Sequence, residues 1–181
     1  MIINQECNLA SDFIKAMGAA HSTSDNGVVV VSISVQQGRW KLPRAYYIKL
    51  NCDARWCKDS SSVTVGIVAR GDQEDYKWAF FKQFKSVTNA FATKALANRE
   101  GLQFAWVNKF SAVEIESDCK EIVRVLNGEI RTPMEVEVVV EDILYLTRYW
   151  EVKFQYVRRA INNVAHCVAQ WDHRGGGGDG S

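Results

Sequence analysis

Two short segments that each end on an aspartate constrain the fold of this chain more than any other feature. KLNCD covers residues 49–53 and ends on Asp53, and VEIESD covers residues 113–118 and ends on Asp118. Polar and apolar side chains alternate along both segments, which is typical of a strand with one covered face. If the two strands lie side by side, their terminal carboxylates are close together.

Two neighbouring carboxylates repel each other unless a cation neutralises them. Paired aspartates at strand ends therefore indicate a divalent metal site, for which Mg²⁺ and Mn²⁺ are suitable ions. The alternative is that Asp53 and Asp118 are solvated residues at two separate strand ends, and the alternation by itself favours this alternative. Both interpretations remain open on the pattern alone.

Length, charge and cysteine usage exclude several classes of protein. The chain has 181 residues, 47% of them hydrophobic, which suits one well-filled core. Its net charge of +1 is too small to attract nucleic acid or a membrane to the protein as a whole, so a polyanion must bind to a local basic patch. Five scattered cysteines without CxxC spacing predict reduced thiols, and we expect a cytoplasmic or nuclear protein without a secretion signal or a membrane partner.

The order of predicted elements is β-β-β-α-β-α-α-β-α. Short turn-like segments join the first three strands, which favours antiparallel hairpins. The order predicts an α/β fold with a mixed five-stranded sheet, three antiparallel strands then crossover units, and helices on both faces. The strands are predicted at 46–53, 62–70, 76–84, 113–118 and 151–157, and the helices at 90–107, 119–126, 134–149 and 163–171, with Thr88 or Asn89 capping the first helix and Asn162 the last.

In such a sheet the first and fourth strands can be neighbours, which would bring Asp53 beside Asp118. We expect the folded domain to cover residues 40–172, followed by a flexible glycine-rich tail at 173–181. Residues 1–39 are an N-terminal extension of ambiguous structure. Within it, VVVVSISV at 28–35 is either an extra strand or a flexible arm.

Several motifs, in this order, resemble those of the plant ribonuclease H-like family, which is related to type 1 RNase H and to the RNase H part of retroelement polyproteins. The resemblance covers about residues 40–170. It implies an RNase H-like fold and hydrolysis of phosphodiesters by two divalent ions, Mg²⁺ or Mn²⁺, held by four acids. The motifs that carry it are WKLP, KLNCDARW, VGIVARG, ALANREGLQFA, VEIESD and VRRAINNVAHCVAQ.

Two of the family's four acids are replaced in this chain. The resemblance places Lys94, in TKALANREGL, where the family has a glutamate, and His166, in AHCVA, where it has the last acid. An imidazole can bind a metal or act as an acid or base, whereas an ammonium repels metal ions, so the two-metal site is expected to be incomplete. The implied catalytic residues are Asp53, Asp118, His166 and Lys94, and the implied metal ligands are Asp53, Asp118 and His166.

Two glutamates are candidates to replace the missing acid. Glu100 follows Lys94 by six residues, about 240° around a helix, and therefore faces elsewhere. Glu116 shares a strand face with Asp118 and is the better candidate, with a solvated strand residue as the alternative.

Further residues are candidates for binding nucleic acid, with solvated surface positions and a helix cap as the alternatives. The residues are Arg55, Lys58, Lys82, Lys85, Arg158, Arg159 and Asn162.

Three functions remain open. The first is a metal-dependent endoribonuclease that cleaves RNA in a duplex, either an RNA–DNA hybrid or double-stranded RNA, viral RNA included. The second is a catalytically impaired pseudoenzyme that binds RNA, a hybrid duplex or a protein partner. The third is a scaffold in which residues 28–35 mediate self-association or contact with another protein. Asp53 and Asp118 favour the first and Lys94 favours the second, while the oligomeric state stays open, with a monomer as one option.

Overall fold

The structure, a computed structural model, describes residues 28–30, 41–57, 62–72, 77–85 and 89–170. Most of the N-terminal extension, the tail 173–181, Thr88 and Lys58 lie outside the described residues. The described strands are β1 (Val28–Val30), β2 (Ile48–Cys57), β3 (Ser62–Arg70), β4 (Lys77–Lys85), β5 (Ala112–Ser117) and β6 (Glu151–Tyr156). The helices are α1 (Ala90–Val107), α2 (Lys120–Leu126), a short 3₁₀ helix (Met134–Val136), α3 (Glu137–Thr147) and α4 (Asn163–Ala169).

The strands form one mixed sheet in the order β1-β4-β3-β2-β5-β6. Strands β2, β3 and β4 are antiparallel neighbours, and β5 and β6 add to β2 in parallel. The predicted five-stranded mixed sheet is thereby confirmed. Strand β1 pairs antiparallel with β4, so part of the ambiguous 28–35 segment forms a sixth strand at the edge.

Local capping explains where α1 begins but not where α4 begins. The Asn89 side chain accepts hydrogen bonds from the backbone N–H groups of Phe91 at 2.7 Å and Ala92 at 3.4 Å, which satisfies two of the free donors of the first turn. Asn162 occupies the cap position of α4, as predicted, but its side chain makes no capping hydrogen bond.

The side chains of strand β2 alternate between the two faces of the sheet. Gly101 of α1 lies against Cys52 and Leu50, so these apolar side chains face α1. Asn51 hydrogen-bonds to Asn162, directly before α4, on the opposite face. Helices therefore cover both faces, as predicted. The fully buried core side chains include Leu50, Ile67, Leu102, Ile115, Ile122 and Ile143. None of the described helices is long and apolar enough to cross a membrane.

Helix α4 packs directly on the backbone of β3, which requires a glycine. A Cβ atom on Gly66 would lie 2.4 Å from the backbone nitrogen of Ala169 and 2.6 Å from the carbonyl oxygen of Ala165. Gly66→Ala is therefore expected to push α4 away and to lower the free energy of unfolding by about 1–3 kcal/mol or more. Urea denaturation measures this loss.

Gly128→Ala is the matched control for this substitution. Gly128 has a positive φ of 71° and open space around its Cβ position, so an alanine there brings backbone strain alone, about 1–2 kcal/mol. A Gly66→Ala protein as stable as the wild type would show that α4 does not pack this closely in solution.

Candidate active site

The parallel pairing of β2 and β5 brings the two predicted aspartates together. Cys52 is paired with Ser117, and Asp53 and Asp118 are the residues that follow each of them. The Asp53 side chain is fully buried and that of Asp118 nearly so. The neighbouring positions that the element order predicted are thus found in the structure.

A lysine lies between the two carboxylates. Lys94 Nζ, from the second turn of α1, donates hydrogen bonds to Asp53 Oδ1 and, at 2.7 Å, to Asp118 Oδ1. Burial lowers the pKa of Lys94, but the charges and hydrogen bonds of Asp53 and Asp118 outweigh burial, so its pKa lies above the ordinary value. The side chain is 22% exposed. The cation expected between the aspartates is therefore an ammonium group of the chain itself.

His166 on α4 binds the other oxygen of Asp53. Its Nδ1 lies 2.8 Å from Asp53 Oδ2, while Asp53 Oδ1 accepts a further hydrogen bond from the Ala54 N–H at 2.8 Å. A carboxylate only accepts, so Nδ1 carries the proton that is shared with Asp53. His166 Nε2 points away from Asp53 and lies 3.1 Å from a terminal guanidinium nitrogen of Arg159 and 2.6 Å from Gln170 Nε2.

These residues do not fit a two-metal centre. Of the three predicted ligands, Asp118 is connected to Asp53 through Lys94, which occupies the space between them, and His166 Nδ1 is already bonded to Asp53. Within the described residues there is no group of three or more His, Cys, Asp or Glu side chains that could hold a metal ion. The arrangement is a chain of hydrogen bonds, Asp118–Lys94–Asp53–His166, in which the ammonium offsets one of the two carboxylate charges.

Neither candidate glutamate joins this chain of hydrogen bonds. Glu116 is buried, lies 2.9 Å from Lys49 Nζ and accepts a hydrogen bond from Asn51 Nδ2 at 2.8 Å. The alternative that Glu116 is a solvated strand residue is therefore wrong. Glu100 is also buried, and its nearest cation is Lys82 Nζ at 2.9 Å. The prediction that Glu100 faces away from Lys94 agrees with this pairing.

A buried polar network beneath the candidate site was missed by sequence reasoning. Lys49 and Asn51 of β2 contact Glu116 of β5, and Lys49 Nζ also lies 3.6 Å from Glu114. Lysine and glutamate at alternate positions of two adjacent predicted strands were the pattern that could have revealed it. The network places these polar groups on the α4 side of β2 and β5, where Asn51 Oδ1 has no hydrogen-bond partner among the described residues.

Asn162 belongs to this network, and its predicted role in binding nucleic acid is wrong. The residue is fully buried, donates a hydrogen bond to the Cys52 carbonyl at 2.9 Å and accepts one from Asn51 at 3.2 Å. A side chain without exposed surface cannot contact a duplex. Asn162 instead holds the start of α4 against β2, which positions His166 beside Asp53.

The predicted basic residues divide between the two faces of the sheet. Arg159 is exposed and contacts His166, and Arg55 is exposed with its guanidinium 3.5 Å from the Gln170 carbonyl, so both lie beside the candidate site. Lys82 is directed to the α1 face, where it pairs with Glu100. Lys85 and Arg158 are exposed, and Lys58 lies outside the described residues. Gln170, four residues after His166, was not predicted as part of the site.

Comparisons with known proteins agree with this fold. A family model described as reverse transcriptase-like matches residues 51–172. RNase H1 from Halobacterium salinarum has a TM-score of 0.63 and 16% identity, over 67% of this chain and 93% of that one. The N-terminal RNase H domain of a Mycobacterium tuberculosis protein, fused to maltose-binding protein, has a TM-score of 0.62 and 13% identity, over 68% and 90%.

LC11-RNase H1, a compost metagenome enzyme determined in complex with an RNA/DNA hybrid, has a TM-score of 0.60 and 15% identity, over 67% of this chain and 92% of that one. No curated protein matches the chain at a significant level. At these identities the likeness to solved structures shows the fold, and the predicted RNase H-like fold is confirmed.

Proposed function

The chain belongs to the reverse transcriptase-like family, and from this premise we propose that it binds an RNA-containing duplex without cleaving it efficiently. The observation that carries the proposal is the Lys94 ammonium bonded to both Asp53 and Asp118. The duplex is an RNA–DNA hybrid or double-stranded RNA. The hybrid bound to the similar fold of LC11-RNase H1 supports this class of partner.

The charge of the site explains why hydrolysis would be impaired. Asp53 and Asp118 carry two negative charges and Lys94 carries one positive charge, which leaves a single negative charge to attract a divalent ion. A cation at about 4 Å from the ammonium would be repelled by roughly 1–4 kcal/mol for each unit of its charge. The hydrogen bonds of Lys94 also occupy one oxygen of each carboxylate. Lys94 therefore opposes metal binding by charge and by position.

The exposed arginines beside the site are suited to contact phosphates. Arg55 and Arg159 flank the Asp53–His166 pair, and their guanidinium groups can bind two phosphate oxygens each. Both duplex types present 2′-hydroxyl groups in an A-like minor groove that a protein can recognise without reading bases. Binding is therefore expected to tolerate changes of sequence.

We expect the wild-type protein to bind each duplex in EDTA, without a requirement for Mg²⁺, because the Lys94 ammonium already offsets one of the two carboxylate charges. The affinity should fall steeply as the salt concentration rises. The logarithm of the binding constant should fall with the logarithm of the salt concentration with a slope of about −0.9 for each duplex phosphate contacted. Arg159→Ala should weaken binding and make that slope shallower by about 0.9, the value expected for the loss of one phosphate contact. Fluorescence anisotropy of labelled duplexes measures all three effects.

Lys109→Asn is the control for this experiment, because Lys109 is exposed just after α1, about 20 Å along the helix from Lys94, and asparagine tolerates its positive φ of 56°. Binding that requires a divalent ion, or that selects one single-stranded sequence regardless of salt, would contradict the proposal. Cleavage of labelled hybrid, double-stranded RNA and single-stranded RNA in Mg²⁺ and Mn²⁺ is measured in parallel. Efficient cleavage by the wild type would overturn the claim of impaired hydrolysis.

A metal-dependent endoribonuclease is the second candidate function. The specific observation in its favour is that Asp53 and Asp118 directly follow paired residues of β2 and β5 and that His166 hydrogen-bonds to Asp53. Lys94 is partly exposed, so a substrate phosphate could draw the ammonium away from the carboxylates. The parallel cleavage assay distinguishes this candidate from the first.

A further inference from the structure

An exposed apolar stripe runs along α3, away from the candidate active site. Met134, Val138, Tyr145 and Tyr149 are all more than half exposed. The seven-residue spacing of Val138 and Tyr145 places these two on one side of α3, and the Tyr149 ring, just after the helix, lies 5.6 Å from that of Tyr145. Trp106, at the end of α1, is half exposed and extends the stripe, since its ring centroid lies 6.1 Å from that of Tyr149. Contiguous exposed apolar surface of this kind marks an interaction site more often than an isolated exposed residue does.

Two opposite charges lie along the same side of this stripe. Glu141 and Arg148 are both exposed and lie seven residues apart, about 10 Å along the helix axis. Together with Leu144 and Tyr145 they line a surface groove of about 450 Å³. The Arg148 guanidinium lies over the Tyr145 ring, 5.8 Å from its centroid. The acidic group comes first along the chain and the basic group second.

We infer that this stripe binds the same stripe of a second copy of the chain, with the two α3 helices antiparallel about a two-fold axis near Tyr145. Reversing one helix places Glu141 of each copy opposite Arg148 of the other, so a single surface is complementary to itself. Tyr145 fills the centre between the two ion pairs, and Tyr149 extends the contact beyond Arg148. A net charge of +1 for each chain gives little repulsion between copies.

A nucleic acid suits this surface less well than a second copy does. Glu141 and the neighbouring Asp142 would repel phosphates at the groove. The surface also lies on the α1 side of the sheet, since Asp142 in the groove is 3.4 Å from Arg99 on α1, whereas Arg55 and Arg159 lie beside the candidate site on the α4 side. Self-association through α3 therefore leaves the duplex-binding surface open, and the inference is independent of the proposed function.

Sedimentation equilibrium of the whole chain between about 1 and 200 µM tests the inference, and wild type is expected to form dimers reversibly in that range. Glu141→Arg and Arg148→Glu should each raise the dimer dissociation constant at least about tenfold, because like charges then face each other. The double substitution E141R/R148E exchanges the two charges and should restore wild-type association. Tyr145→Ala should abolish dimers by removing the central contact.

Lys120→Glu is the matched control, since it reverses one exposed charge on α2 and should leave association unchanged. Circular dichroism and thermal melting verify that each variant is folded. Wild-type monomers at every concentration would overturn the inference, as would dimers that neither single charge reversal weakens. Monomers whose duplex binding is lost in Arg148→Glu would likewise overturn it and assign the surface to nucleic acid.

Discussion

Lys94→Glu is expected to convert the candidate site from one that excludes divalent cations into one that binds them. The substitution removes the ammonium that is bonded to Asp53 and Asp118 and directs a third carboxylate toward the same space. Carboxylate oxygens are the ligands that Mg²⁺ prefers in proteins. We expect the rate of Mg²⁺-dependent cleavage of an RNA-containing duplex to be at least about 100-fold higher than that of the wild type. This increase corresponds to an activation free energy that is lower by about 2.7 kcal/mol.

Stability gives a second measure of the same change that does not depend on activity. Without metal, three neighbouring carboxylates repel one another, so the variant should melt below the wild type. Added Mg²⁺ or Mn²⁺ should raise its melting temperature, because an ion that binds only the folded state stabilises it. Isothermal titration calorimetry should detect Mn²⁺ binding in the variant and little or none in the wild type.

Lys94→Met is the matched control, because methionine removes the charge and supplies no carboxylate. It should lose stability without gaining cleavage or metal-dependent melting. If wild type cleaves the duplex and Lys94→Glu destroys that activity, Lys94 has a catalytic or phosphate-binding role and the account of an opposed metal site is wrong. If neither protein cuts with any divalent ion, the nuclease hypothesis fails and duplex binding alone remains.

Asp53→Asn is expected to destabilise the protein by about 3 kcal/mol, the lower end of the range for breaking a buried ion pair. Asp53 is fully buried and bonds to Lys94, His166 and the Ala54 N–H. An asparagine can keep the bond to Ala54, but it cannot neutralise the ammonium. The loss stays at the lower end because Lys94 keeps its bond to Asp118. Urea denaturation at neutral pH measures the change.

Asp118→Asn is the control, since it removes one carboxylate from Lys94 but leaves the bonds of Asp53 to His166 and Ala54 in place. Its effect should be smaller, about 1 kcal/mol. The sequence alone predicts the opposite sign for Asp53→Asn, because two unpaired carboxylates would gain stability from losing one charge. An Asp53→Asn protein at least as stable as the wild type would show that Lys94 does not neutralise the pair in solution.

The element order of this chain could be predicted because its causes are local. Alternation along residues 49–53 and 113–118 follows from the two-residue period of a strand, and the Asn89 cap depends on the three residues after it. The short hairpins and later crossovers leave few ways to arrange the strands, so the element order also allowed Asp53 and Asp118 to be neighbours, as the structure shows them to be.

The chemistry of the candidate site depends on contacts between segments that lie far apart in the chain. Alternation placed Glu116 and Lys49 on strand faces but did not show that the two are buried against each other. The sequence identified Lys94 and His166 as departures from a family pattern. Only the tertiary structure decided that Lys94 reaches both carboxylates and that His166 shares a proton with Asp53. The reason is physical: periodicity specifies the face on which a side chain lies, whereas an ion pair depends on atomic positions within a few tenths of an ångström.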